Sequence, residues 1–129
     1  MTTAKLPAID VSELRATAAS DAERLSIVLD GTADLRTQEQ LDDFLEAVDR
    51  SARAMKAPEV VVDLRKLEFM NSSCFKAFVS WIGRLQELDA GDQYKIRFLS
   101  DQRMLWQRRS LHALSCFAAD LITIETNVP

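Results

Sequence analysis

The chain has 129 residues, 47% of them apolar, a size and composition that suit one domain burying roughly two-thirds of its unfolded surface. Its 16 basic residues against 20 acidic ones give a net charge of −4, which argues against a general nucleic-acid binder, since such domains carry a basic excess. Two cysteines, Cys74 and Cys116, form neither a metal-ligand spacing nor a disulfide framework and read as reduced thiols of a cytoplasmic protein.

The first stretch, "MTTAKLPAIDVSEL", lacks the apolar core of a secretory leader. No apolar run nears the ~18 residues of a membrane span, so no membrane contact is expected. Residues 1–22 form an N-terminal segment in which "LPAIDVSELRATAASDAE" fits an edge strand or a short helix, and periodicity does not separate the two. "RLSIVLDG" then reads as a strand, with Leu25, Ile27 and Leu29 on one face and Gly31 as punctuation. Thr37 opens a helix through a capping box with Gln40, and Leu41, Phe44, Leu45, Val48, Ala52 and Met55 make its apolar stripe. Pro58 closes that helical region.

"EVVVDL" is a short continuous apolar run, the pattern of a central strand covered on both faces. The helix after "FMN" carries Phe75, Phe78, Val79, Ile82, Leu85 and Leu88 on one side, with Gly91 as its C-terminal cap. "YKIRFLS" is a strand, and "DQRMLWQRRSLHAL" a third helix with Ser100 or Asp101 as N-cap. "LITIE" is a last strand, and residues 127–129 read as a tail. The alternation of strand and helix predicts an α/β fold with a largely parallel sheet, because parallel neighbours need crossover helices.

Candidate chemistry is sparse. Three glycines, Gly31, Gly83 and Gly91, make no phosphate-binding loop, which excludes the usual dinucleotide and P-loop enzymes. The single histidine, His112 in "RRSLHAL", reads as a surface or half-buried helix residue, which leaves Ser72 and Cys74 without an evident base. Cys74 falls in the first turn of a helix, where the dipole lowers a thiol pKa, but its neighbour Phe75 favours a packing role. Arg103, Arg108 and Arg109, with Trp106 among them, make a basic face that could grip nucleic acid or an acidic partner, but on a net negative chain it reads as a solvated or protein-contacting face. Trp81 borders the stripe of the second helix. Asn71, Ser72 and Ser73 suit a helix start, each with a side-chain oxygen able to take a free backbone N–H.

"VVVDLRKLEFMNSSCFKAF" resembles the signature stretch of the STAS family, named for sulfate transporters and anti-sigma factor antagonists. The likeness lies in a buried strand ending in Asp63, the apolar pair Phe69-Met70, and the turn Asn71-Ser72-Ser73-Cys74 entering a helix. "LDGTADLRTQEQL" upstream and "LHALSCFAADLITIET" downstream are similar to the family's first helix region and closing strand, so the resemblance spans residues 23–126. Two positions depart from it. The family's acidic residue before the serine is Asn71 here, and the glycine after the serine pair is Cys74.

The resemblance implies a mixed, largely parallel sheet of about four or five strands, with about three or four helices mainly on one side. It implies a module that is not an enzyme, takes no cofactor or metal, and works through protein partners. Those partners are a serine kinase that doubles as an anti-sigma factor, and a PP2C-type phosphatase. Residue by residue, Ser72 matches the usual phosphoacceptor, Ser73 is the second choice, and Asn71, Ser72, Ser73, Cys74 and Lys76 make the contact face, with Arg108 and Arg109 as a further candidate surface. Two other readings stand beside this one: an adaptor of the same fold that is never phosphorylated, and a thiol-dependent enzyme or redox sensor built on Cys74.

Overall fold

The computed structural model describes residues 6–21 and 23–127. Six strands form one sheet in the order β1 to β6: β1 (Ile9–Asp10), β2 (Leu14–Ser20), β3 (Arg24–Ala33), β4 (Glu59–Met70), β5 (Lys95–Asp101) and β6 (Ile122–Asn127). Three helices connect the last four: α1 (Gln38–Ala54), α2 (Ser72–Gln86) and α3 (Leu105–Phe117). β1–β2 and β2–β3 pair antiparallel, and β3–β4, β4–β5 and β5–β6 pair parallel, as their crossover helices require.

The α/β reading holds, with one strand more than expected. Residues 9–20 supply the two antiparallel strands, while residues 1–5 and 22 lie outside the described part. β2 escaped a firm reading because its inward face is built from small residues. Leu14 and Ala16 are buried, but "ATAAS" offers little contrast between its faces. Gly31 makes the β2–β3 pairing possible. Its φ is 117°, and a Cβ there would stand 2.3 Å from the Glu13 carbonyl oxygen. At the other end β6 continues through Asn127, so the expected tail begins later, and residues 128 and 129 are outside the described part.

One face of the sheet carries the core. Leu25, Ile27, Leu29, Val60, Val62, Leu64, Ile96 and Phe98 point to the helix layer and are fully buried. The other face of "EVVVDL" is covered too, since Val61 is buried, but not by a second apolar layer. Val61 lies outside the core cluster, level with Ser26 and Arg97 in the register. Around it runs a row of charges. Arg24 Nε lies 3.2 Å from Glu59 Oε1, without hydrogen-bond alignment. Arg97 reaches Glu59 at 3.0 Å and Glu125 at 3.5 Å.

Helix ends differ from the sequence signals. Thr37 does not cap α1. Its hydroxyl turns back to the preceding loop, accepting the Asp34 N–H at 3.0 Å and donating to the Asp34 carbonyl at 3.1 Å. α1 stops before Pro58, with Lys56 left-handed at φ 53° and the Ala57 N–H bonded to the Ala52 carbonyl. α2 ends at Gln86 and Gly91 sits in a short 3-10 turn, so it caps nothing. α3 is preceded by Met104, and Asp101 belongs to β5, where Arg103 holds its carboxyl down to about 2.

The buried face of α2 is also rotated from the expected stripe. Cys74, Ala77, Phe78, Trp81, Ile82 and Leu85 are buried, while Phe75, Val79 and Leu88 pack at the margin. Trp81 goes fully inside because its polar edge is satisfied there. Its indole N–H donates to the Tyr94 hydroxyl at 2.7 Å, and that hydroxyl donates to Asp49 at 2.6 Å. Arg53 pairs with the other Asp49 oxygen at 3.0 Å, so the network closes with no lone charge.

Candidate functional site

The turn from β4 into α2 is built by both of its neighbours. Pairing with β3 sets Thr32 opposite Phe69 and Ala33 opposite Met70, and the Asn71 N–H then donates to the Ala33 carbonyl at 2.9 Å. Asn71 is extended at φ −79°, ψ 172°, and its side chain accepts the Cys74 N–H at 2.8 Å. That bond fixes the start of α2. Ser72 is the first helical residue and is exposed, Ser73 is half-buried, and Lys76 is exposed one turn on.

Cys74 points the other way. It is fully buried, and its thiol donates to the Asp34 carbonyl at 3.4 Å. Burial, with the negative charges of Asp34 and Asp42, pushes this thiol up to about 11. It is therefore protonated at neutral pH, and it fastens the β3–α1 loop beneath the turn instead of offering contact surface.

That loop completes the face. Asp34 is held below the usual carboxylate range by Arg36, which donates to it through its side chain at 2.9 Å and its backbone N–H at 2.9 Å. Arg36 also reaches Glu13 at 3.3 Å. The loop so held displays Leu35, 73% exposed, while the end of β4 displays Phe69, 48% exposed. Ser72 is thus exposed at a junction whose loop and strand end each display an apolar side chain. Leu35 was legible only as an apolar residue in an otherwise polar connector.

A second residue missed in the sequence is Gln107. β4 runs past its pairing with β5, which ends at Asp63–Leu99, so its later carbonyls need other partners. Gln107, fully buried, donates to the carbonyls of Leu64 at 2.6 Å and Leu67 at 3.1 Å. Its side-chain oxygen accepts the Asp101 N–H at 2.9 Å. A polar residue in line with buried Leu111 and Leu114 was the available signal.

Asn71, Ser72, Ser73 and Lys76 come together at the turn. Arg108 and Arg109 stand apart from it on α3, lining a cleft with Leu105 and His112. Trp106 is half-buried against the core, not a free stacking platform. His112 is exposed 3.6 Å from the Cys116 sulfur and meets neither serine. Among the described residues, no helix is long and apolar enough to cross a membrane.

No protein-family model matches the sequence, and no curated protein matches it. Solved structures do match the fold. An anti-sigma factor antagonist from Mycobacterium paratuberculosis superposes with a TM-score of 0.63 at 16% identity, covering 86% of both chains. The Bacillus cell fate determinant SpoIIAA, solved in its phosphorylated form, gives 0.54 at 14% identity over 87% of this chain and 92% of its own. The chain therefore has a STAS-like fold, the one these two regulators share, along nearly its whole length.

Proposed function

We propose that the chain is a phosphorylation-controlled protein-binding module of the anti-sigma factor antagonist kind. Unmodified, the turn binds a serine kinase that also serves as an anti-sigma factor. Phosphate on Ser72, with Ser73 as second candidate, releases that partner, and a PP2C-type phosphatase resets the turn. On this reading the domain catalyses nothing itself, needs no cofactor and works in the cytoplasm.

The observation that carries the reading is the exposure of Ser72 at the first position of α2, where the adjoining β3–α1 loop and β4 end expose Leu35 and Phe69. The physics is asymmetric. Phosphate adds about −1.5 to −2 charges. Within the domain that charge meets a helix N-terminus with no acidic residue in its first turn. In a complex it would be trapped between apolar contacts, where an unpaired charge is costly. Binding is lost while the fold is kept. The test is phosphate transfer from ATP by such a kinase, with the site mapped by tandem mass spectrometry. Label on Ser72, and its loss in Ser72→Ala, is expected; a wild-type chain that takes no label, or takes it at neither Ser72 nor Ser73, would refute the switch.

The adaptor reading has one observation in its favour. The residue before Ser72 is the neutral Asn71, which caps α2 without a charge for a kinase to read. An adaptor would bind its partner equally well as wild type and as Ser72→Ala, through α2 and the Arg103–Arg109 face.

A further inference from the structure

The helix layer ends in two surfaces that complement each other. α3 packs on β5 and β6 at one end, and α1 packs on β1 and β3 at the other. On the outer side of α3, Leu105 is 68% exposed. Arg108, Arg109 and His112 follow it at helical spacing, and the four line a shallow cleft of about 510 Å³. Arg103 nearby is tied to Asp101 at 2.6 Å, whereas neither Arg108 nor Arg109 has an ion-pair partner among the described residues. The result is an apolar knob beside two uncompensated cations, on a chain of net charge −4.

The α1 end is its counterpart. A groove of about 350 Å³ runs between β1 and α1, walled by Ile9, Val11, Phe44 and Ala47. Asp10 and Asp43 line it too, both exposed and both without an ion-pair partner among the described residues. An apolar socket flanked by two carboxylates thus faces away from one end of the layer, and a leucine flanked by two arginines faces away from the other. Because they sit at opposite ends, one copy cannot join its own pair.

We propose that the chain self-associates head to tail, with Leu105 of one copy in the β1–α1 groove of the next and Arg108 and Arg109 against Asp10 and Asp43. Such a contact is heterologous, so it propagates into a ring or an open array. Its charges are exposed, so it is weak and screened by salt. It uses none of the residues of the Ser72 turn, and it stands or falls independently of the switch.

The test is sedimentation velocity on the whole chain over a concentration series at low and high salt. Wild type should grow in mass with concentration at low salt and return to monomer at high salt. Two double variants separate the surfaces: Arg108→Glu with Arg109→Glu, and Asp10→Lys with Asp43→Lys. All four positions are exposed, so circular dichroism should match wild type. Each variant alone should stay monomeric, and an equimolar mixture should associate again. A wild type that stays monomeric throughout at low salt, or association that survives in either double variant alone, would overturn the proposal.

Discussion

Ser72 and Cys74 lie two residues apart and meet opposite surroundings: one hydroxyl in solvent, one thiol sealed under the turn. Helical geometry alone separates them, since neighbours two apart diverge by about half a turn. The difference has a chemical reading. The buried thiol sits at about 11 against an ordinary 9.0, so the unfolded chain loses this proton first as pH rises. Stability due to the neutral thiol is whole below about pH 9 and is lost as pH climbs towards 11. In mildly alkaline buffer, a thiol reagent should therefore titrate exposed Cys116 promptly and Cys74 only at the rate of unfolding. Two equally fast thiols would show that Cys74 is not sealed, and would reopen the redox reading.

At the scale of elements, the core face of α1 was legible and most of the joints were not. Leu41, Phe44, Leu45, Val48 and Ala52 of α1 repeat at helical spacing, and all are buried as that spacing requires. Thr37 and Asp101 carry the residue types of helix caps, yet both spend their oxygens elsewhere, on the Asp34 backbone and on Arg103. A side-chain oxygen near a helix start has several backbone and charged partners in reach, and tertiary structure chooses among them. Gln107 was hidden for a related reason, because its partners Leu64 and Leu67 are some forty residues away in the chain. The candidate turn was readable because its signals are local: an N-cap asparagine, then serines, then an apolar stripe. Its apolar flank was not, since the segments that carry Leu35 and Phe69 are brought together only by the β3–β4 pairing, which ends at Ala33–Met70. The end of α1 offers a direct check. Lys56 holds a left-handed conformation that costs a residue with a Cβ about 1 kcal/mol. Lys56→Gly should raise stability by roughly that amount in urea unfolding. A loss of stability would mean that the lysine side chain contributes more than its backbone strain removes.

On the scale of the whole molecule, the sheet keeps its helices and core on one side and a row of charges on the other. The strand ends then present the β4–α2 turn and the β3–α1 loop as one surface, fastened by the Asn71–Ala33 and Cys74–Asp34 hydrogen bonds. Such a scaffold can gain a charge at Ser72 without being rebuilt, and on the proposed reading this charge decides partner binding. The most direct measurement is affinity capture from native lysate with wild type and Ser72→Glu side by side, after circular dichroism has shown equal folding. A kinase-like partner should be held by wild type and weakened at least about tenfold, or ~1.4 kcal/mol, by the glutamate. Equal recovery of that partner by both proteins would contradict the proposed reading.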